Sequence, residues 1–402
     1  MIVEFSVSNF ASVRSHQTLS FVPTPDNYMS EHFCHAVKEG VHLLKIGVIY
    51  GANASGKSNI LKALDFLRQL MLYNPADRND ILPFTPFLLD DDSREKSTEM
   101  EISFYVRETL YKLSISFYSN VILSEKLIFY PSVQPAVLYD RRYDADKDVT
   151  AIVFGKKLEL GKAAQGVILG NTINNCSVLA AFAKSNVETS RLNETYAFFR
   201  DTLSGMVSPK SSFDAQARQL LLRNEDFRTF AVRFMAASDF NVEGIAAAKN
   251  EDNIPVITFS HKTDHGSYML LEDLESAGTL RYLGLSVLLY ELLSQNRIVP
   301  IDEIESSIHH ELLSYLIRVF IANSDNASQL IMTTHDINLL SEDYFRRDIV
   351  WFTDKDETGQ TKLVRLSDLG LHKNASAYNA YRQNKLVKIP FVGQTFINLK
   401  EE

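Results

Sequence analysis

Cysteine is nearly missing from this 402-residue chain, with Cys34 and Cys176 alone. Two thiols cannot build the disulfide framework of a small secreted fold, so a reducing compartment is expected. Long apolar runs are missing too. Nothing approaches the roughly 18 uninterrupted apolar residues of a membrane span, and no membrane partner is expected. The opening MIVEFSVSNF has no basic segment followed by an apolar one, so no signal peptide is read there and a cytoplasmic location follows as the expectation. No sustained heptad pattern exists, which excludes a long coiled-coil arm. Basic charge is not in excess: 41 Lys+Arg against 50 Asp+Glu leave a net −9. That argues against a generally basic nucleic-acid binder, although a local basic patch could survive inside an acidic chain. What remains is ordinary globular composition, 45% hydrophobic and 23% charged, at a length suited to two or three domains.

The first 21 residues alternate as strands do, and polar residues 24–40 read as a loop. A short apolar run, Leu43 to Tyr50, then leads into GANASGKSN. Beyond it Ile60, Leu64, Leu67 and Met71 recur at three- and four-residue spacing, the buried stripe of a helix. Residues 75–97 read as loop. Four strands follow in 98–160: EMEISFYV, YKLSISFY, SEKLIFYP and TAIVFG. From about 165 to 248 the pattern is helical. Two strands, a helix from Thr279 to Ser294, a strand ending at Ile301, a helix over 309–322, the strand LIMTT and two late strands complete the core. The division expected is a first lobe at 1–160, a helical insertion at 161–250 and a second lobe at 251–402. No internal repeat or low-complexity tract is present.

Gly51, Ala52, Asn53, Ala54, Ser55, Gly56, Lys57 and Ser58, with Asn59 following, fit G-x-x-x-x-G-K-[ST]. Each residue type has a job. The glycines let successive N–H groups curl inward around phosphate oxygens, and the helix that follows adds the positive end of its dipole. Lys57 reaches the β- and γ-phosphates, and Ser58 ligates Mg²⁺. A chain this long meets the pattern by chance on the order of once or twice in a hundred, and the strand before and helix after reduce that further. ATP is the ligand expected, with Mg²⁺ as its cofactor.

A nucleotide hydrolase also needs a carboxylate beside the metal and a group that orients water. Ile298-Val-Pro-Ile301-Asp302-Glu303 supplies a short apolar strand ending in two acids. Asp302 is the metal candidate and Glu303 the one that polarises water. Pro300 is awkward there, because proline cannot donate to a central sheet ladder. The bland alternative is a surface acid pair at a helix start, where carboxylates are favoured anyway. Thr333-Thr334-His335-Asp336 follows the next strand and offers an imidazole that could sense the γ-phosphate, although a lone histidine is more often structural. Phosphate loop, acid pair and histidine each stand at the carboxyl end of a strand, where open α/β sheets bind ligands.

With these residues in order the chain resembles the ATPase heads of the ABC/SMC/RecF group. More narrowly it resembles stand-alone bacterial AAA-family ATPases of the AAA-21/AAA-15 type, including abortive-infection and RloA-like proteins. The resemblance rests on the opening turn Asn9-Phe10-Ala11-Ser12, the phosphate loop, and Asp302 to His309 as Walker B and D-loop. Thr334-His335-Asp336 stands as the switch histidine, and Glu275-Ser276-Ala277-Gly278-Thr279 where these proteins carry an ABC signature. It implies an α/β fold of ABC-ATPase type with an N-terminal antiparallel β portion and a mostly helical insertion. It implies that Glu303 and His335 are catalytic, and that Ser276 and Gly278 serve the γ-phosphate of a second copy across a homodimer. It further implies a separate, nuclease-like effector and a role in anti-phage defence.

The sequence departs from these relatives where Ala11 replaces a basic residue, leaving Arg14 as a poor substitute, and where Pro300 replaces an aliphatic one. No glutamine marks a Q-loop. A RecF-like DNA-clamping repair ATPase and a non-hydrolysing, nucleotide-gated scaffold remain as alternatives, so nucleic acid stays open as a partner. His32, Cys34, His35 and His42 match no zinc-ligand spacing and read as loop residues, and Asp90-Asp91-Asp92 as a solvated turn. The tail from Tyr381 to Pro390 resembles the end of the RloA-like ATPases.

Overall fold

The computed structural model describes residues 1–387 apart from 212, 239–240, 252 and 373–374. Ile389 and Pro390 of the tail lie outside the described residues. The helix that follows the phosphate loop, Lys57–Leu72, packs between two sheets. The first is five-stranded, in the order Ile298–Ile301, Gln329–Thr333, Ile46–Gly51, Val350–Lys355, Thr361–Arg365. Its first four strands run parallel and the last antiparallel. Every residue of the first three strands is buried, as parallel strands covered on both faces require.

The second sheet is seven-stranded and antiparallel: Val149–Phe154, Ala136–Asp144, Ile122–Tyr130, Thr109–Phe117, Thr98–Val106, Ile2–Ser8, Gln17–Ser20. Its strands alternate, so that Tyr111, Leu113, Ile115 and Phe117 face the core while Lys112, Ser114 and Ser116 face outward. The helix between the sheets buries Ile60, Leu61, Leu64, Leu67, Leu70 and Met71. Each such side chain contributes about 1.5–3 kcal/mol on burial. Phe66 joins the layers, with its ring centroid 5.4 Å from that of Phe117 and 5.7 Å from that of Phe10. The phosphate loop is thereby fixed to a rigid helix rather than to a mobile segment.

Pro300 is accommodated because its strand ends the five-stranded ladder. One side pairs with Gln329–Thr333. The other meets only an irregular stretch, where Val207 N–H donates to the Pro300 carbonyl at 2.9 Å and Ser204 N–H to that of Ile298 at 2.9 Å. Among the described residues no ladder partner there demands the N–H that proline lacks.

Several local expectations fail. Residues 24–40 hold a short helix, Ser30–Phe33, and the strand Cys34–Lys38, which pairs with Val41–Leu44. The 98–160 region has a fifth strand, Ala136–Asp144, between Ile122–Tyr130 and Val149–Phe154. The helical stretch ends at Ala236, and Val242–Lys249 is a strand in a three-stranded sheet with Pro255–Thr263 and Gly266–Leu271. Asp90 caps the short helix Asp91–Arg94 and pairs with Arg14, whose Nε lies 2.7 Å from its carboxylate. His35 lies on the strand Cys34–Lys38 and His42 on its partner. Among the described residues no group of three or more His, Cys, Asp or Glu is arranged to hold a metal ion, and no helix is long and apolar enough to cross a membrane.

Candidate nucleotide site

Backbone geometry makes the loop. Gly56 sits at φ 103°, and a Cβ there would lie 2.0 Å from Thr361 Oγ1. A Cβ on Gly51 would lie 2.3 Å from Thr353 Oγ1 and 2.6 Å from the Thr353 carbonyl. Both positions therefore require glycine. Ala54 also has positive φ, at 62°. Hydroxyls brace the loop from distant parts of the chain. Ser55 Oγ and Thr353 Oγ1 are 2.6 Å apart, and Thr361 Oγ1 donates to the Ser55 carbonyl at 2.8 Å. Ser12 Oγ lies 2.7 Å from Thr361 Oγ1 and accepts from Asn59 Nδ2 at 2.7 Å. Ser12 thus ties the opening turn to the phosphate loop, while Arg14 is turned away to Asp90.

Lys57 is 5% exposed, and its ammonium donates to the carbonyls of Gly51 at 2.9 Å and Ala52 at 3.1 Å. Burial pushes its pKa down, and Asp302 pulls it back up. Ser58 Oγ donates to Asp302 Oδ1 at 2.8 Å, and Thr333 Oγ1 donates to the same oxygen at 2.6 Å. A serine hydroxyl touching a buried carboxylate is a pair of hard oxygens suited to Mg²⁺. Glu303 follows at a left-handed φ of 47°, with its N–H on Thr333 Oγ1 at 2.8 Å. That turn buries Asp302 at 7% exposure while leaving the Glu303 side chain 45% exposed over the cleft.

His335 Nε2 lies 3.9 Å from Glu303 Oε1, and His335 N–H donates to Glu305 Oε1 at 2.6 Å. Burial, and next the Lys57 cation, push the His335 pKa below the ordinary histidine value, so the ring is neutral at pH 7. A neutral imidazole keeps one nitrogen as acceptor and one as donor.

Asn53, Ala54, Gly56, Lys57, Ser58, Asn59, Glu303 and His335 line one cleft of about 440 Å³, joined by Lys62 and Lys355. Sequence reading missed both lysines. Lys62 shares a helix face with Ser58 at i,i+4, and Lys355 closes a parallel strand at its carboxyl end. Thr333, which holds Asp302 and Glu303 together, was also missed. Ser276 caps the helix Ala277–Ser294 by accepting Thr279 N–H at 3.0 Å. Gly278 faces the acidic turn: a Cβ on it would meet the Ser307 carbonyl at 3.1 Å. Neither residue lines the cleft made by the phosphate loop of their own chain.

A phosphate loop after one parallel strand, an acid pair after another and a histidine after the strand between them define a P-loop nucleotide site on an α/β sheet. A family profile described as "AAA domain, putative AbiEii toxin, Type IV TA system" matches residues 46–341, and the chain belongs to that family. Among solved structures it is similar to an SMC head domain from Thermotoga maritima, at 13% identity and TM-score 0.44, covering 90% of this chain and 98% of that one. It is also similar to an SMC head bound to the C-terminal winged-helix domain of ScpA, at 12% identity and TM-score 0.46, covering 95% and 99%. A third likeness is an SMC head with an extended coiled coil bound to the C-terminal domain of ScpA derived from Pyrococcus furiosus, at 11% identity and TM-score 0.41, covering 95% and 98%. A comparison with curated proteins gave no match.

Proposed function

We propose that this chain binds and hydrolyses ATP with Mg²⁺, that nucleotide draws two copies together head to tail, and that the assembly controls a separate effector in anti-phage defence. The observation that carries the chemistry is the shared hydrogen-bond cluster in which Asp302 accepts from Ser58 and Thr333 while Thr333 also receives the N–H of Glu303. One residue's placement therefore sets the others. Ser58 and Asp302 would hold Mg²⁺, which when bound offsets phosphate charge and polarises the phosphoryl group. Lys57 exchanges its two carbonyl partners for phosphate oxygens. Glu303 accepts a proton from water, and the neutral His335 ring beside it orients that water.

Dimerisation is supported by Ser276 and Gly278. They open a capped helix of 18 residues, a cradle for anions that is absent from the lining of its own cleft. A two-fold pair would give each phosphate loop the other chain's cradle. The defence role rests on the family description, which names a toxin of a type IV toxin–antitoxin system, and the effector on the abortive-infection resemblance. A test is ATP turnover by the wild type and by Glu303→Gln. The wild type should hydrolyse ATP, and the variant should bind it without turnover. Native-rate hydrolysis by the variant would remove Glu303 from its role.

A further inference from the structure

The loop that carries His335 is clasped from two sides, and one clasp lies outside the cleft. Asp336 follows His335. One of its carboxylate oxygens caps Ile337–Ser341 by accepting Asn338 N–H at 3.1 Å. The other lies 2.5 Å from His310 Nδ1. The second ring nitrogen of His310 is 3.2 Å from Glu342 Oε1, which also accepts from Ser314 Oγ at 3.3 Å. His310 is the first residue of the helix His310–Asn323, directly after the acidic turn. From within that turn Glu305 holds the His335 N–H. The turn and the helix it feeds thus grip the histidine loop together.

A neutral imidazole has a single N–H and serves one carboxylate, whereas the protonated ring donates to both. The setting favours the proton. Asp336 is 11% and Glu342 28% exposed, and both face the ring. Ser314 stands one turn along the helix, with the Tyr344 hydroxyl 2.9 Å from it and the Arg318 cation acting on Tyr344. Burial works to lower the His310 pKa, but the hydrogen bonds and charges of Asp336 and Glu342 outweigh it and hold the ring above its ordinary value.

We propose that His310 is a positioning residue for ATP turnover: bridging Asp336 and Glu342, it latches the His335 loop onto the acidic turn when it carries its proton. This rests on the ATPase reading of the site, to which it adds a proton-dependent regulator. A raised pKa means that the bridge is complete below the ordinary histidine value and is lost as pH rises through the folded one. His335 lines the nucleotide cleft, and the His310 variants, which leave it in place, separate this limb from any titration of its own.

The experiment compares the full-length wild type with His310→Gln and His310→Arg in steady-state ATPase assays from about pH 6 to 9. It adds hydrogen–deuterium exchange over 334–342 without nucleotide. The wild-type kcat should fall several-fold on the alkaline side. His310→Gln should give a low kcat without that limb, and KM for ATP within about twofold of the wild type, because the cleft is untouched. His310→Arg, charged throughout, should restore kcat and keep it flat. Exchange over 334–342 should be faster in the Gln variant than in the Arg variant at equal pH. An unchanged kcat, alkaline limb and exchange rate in His310→Gln would overturn the latch. If the wild type binds ATP without hydrolysing it, the ATPase reading fails, and exchange alone decides the latch, faster in Gln than in Arg supporting it and equal rates overturning it. If His310→Gln does not fold, the wild-type limb and its disappearance in His310→Arg decide.

Discussion

Replacing Lys57 with methionine separates nucleotide affinity from folding. Methionine keeps most of the side-chain length and removes the charge. In the free protein the ammonium is buried and donates to the carbonyls of Gly51 and Ala52. Removing it leaves those acceptors without this donor, at about 1–3 kcal/mol for a buried group. It also removes the cost of desolvating a cation, visible as the depressed pKa of Lys57. The two changes oppose one another, so stability without nucleotide should shift by only about 1–2 kcal/mol. The loss in nucleotide binding is offset only by the two carbonyl bonds that the wild type gives up when Lys57 turns to phosphate. A bound phosphate loses two charge-assisted hydrogen bonds of about 1.5–3 kcal/mol each, or roughly a hundred- to ten-thousandfold in Kd. Isothermal calorimetry with ATP and Mg²⁺ reads the affinity, and denaturant unfolding without nucleotide reads the fold. A Lys57→Met chain that binds ATP as tightly as the wild type would refute the phosphate-loop reasoning. A chain that loses binding only because it is unfolded would refute the stability half.

Asp302→Ala should weaken Mg²⁺-dependent ATP binding more than Mg²⁺-free binding, measured by calorimetry with and without EDTA, because it removes the carboxylate that Ser58 and Thr333 share. Thr361→Val should lower ATP affinity with little change in kcat, since it deletes the hydroxyl joining Ser12 to the Ser55 carbonyl and touches no reacting group. Ala277→Arg places bulk at an exposed position between Ser276 and Gly278, avoiding the Ser307 contact that makes Gly278 a poor site for it. It should leave ATP binding by single chains intact and block turnover. Mixed with Lys57→Met chains it should regain about one working site per mixed dimer, and verified mixed dimers that stay silent would refute the shared site. Acidification should erode the part of stability that comes from His335, because its lowered pKa makes the unfolded chain the better proton binder below the ordinary histidine value. The acid-side loss in thermal unfolding should therefore be smaller in His335→Gln.

Much of the centre was legible because its signals are local. The phosphate loop, the stripe of Lys57–Leu72 and the carboxyl ends of Ile298–Ile301 and Gln329–Thr333 can each be read within about 20 residues of chain. The rest depends on distance. Ser12 and Thr361 meet although 349 positions separate them, and nothing in either neighbourhood announces it. Ala136–Asp144 reads as polar because Arg141 is buried, its guanidinium held by the carbonyls of Ile122 and Asn174. Val242–Lys249 holds three consecutive alanines and reads as helix, yet pairing with Pro255–Thr263 overrides that preference. The clasp on Asp336 was hidden for a similar reason, since His310 and Asp336 lie 26 positions apart.

The most direct measurement is the mass of Glu303→Gln in solution, by light scattering after size exclusion, with saturating ATP and Mg²⁺ and again with ADP. A single chain is 45.6 kDa. The account predicts about twice that mass with ATP and the single-chain mass with ADP, with ATP recovered unhydrolysed from the larger species. One mass under both nucleotides, with ATP bound, would contradict a nucleotide-bridged pair of chains.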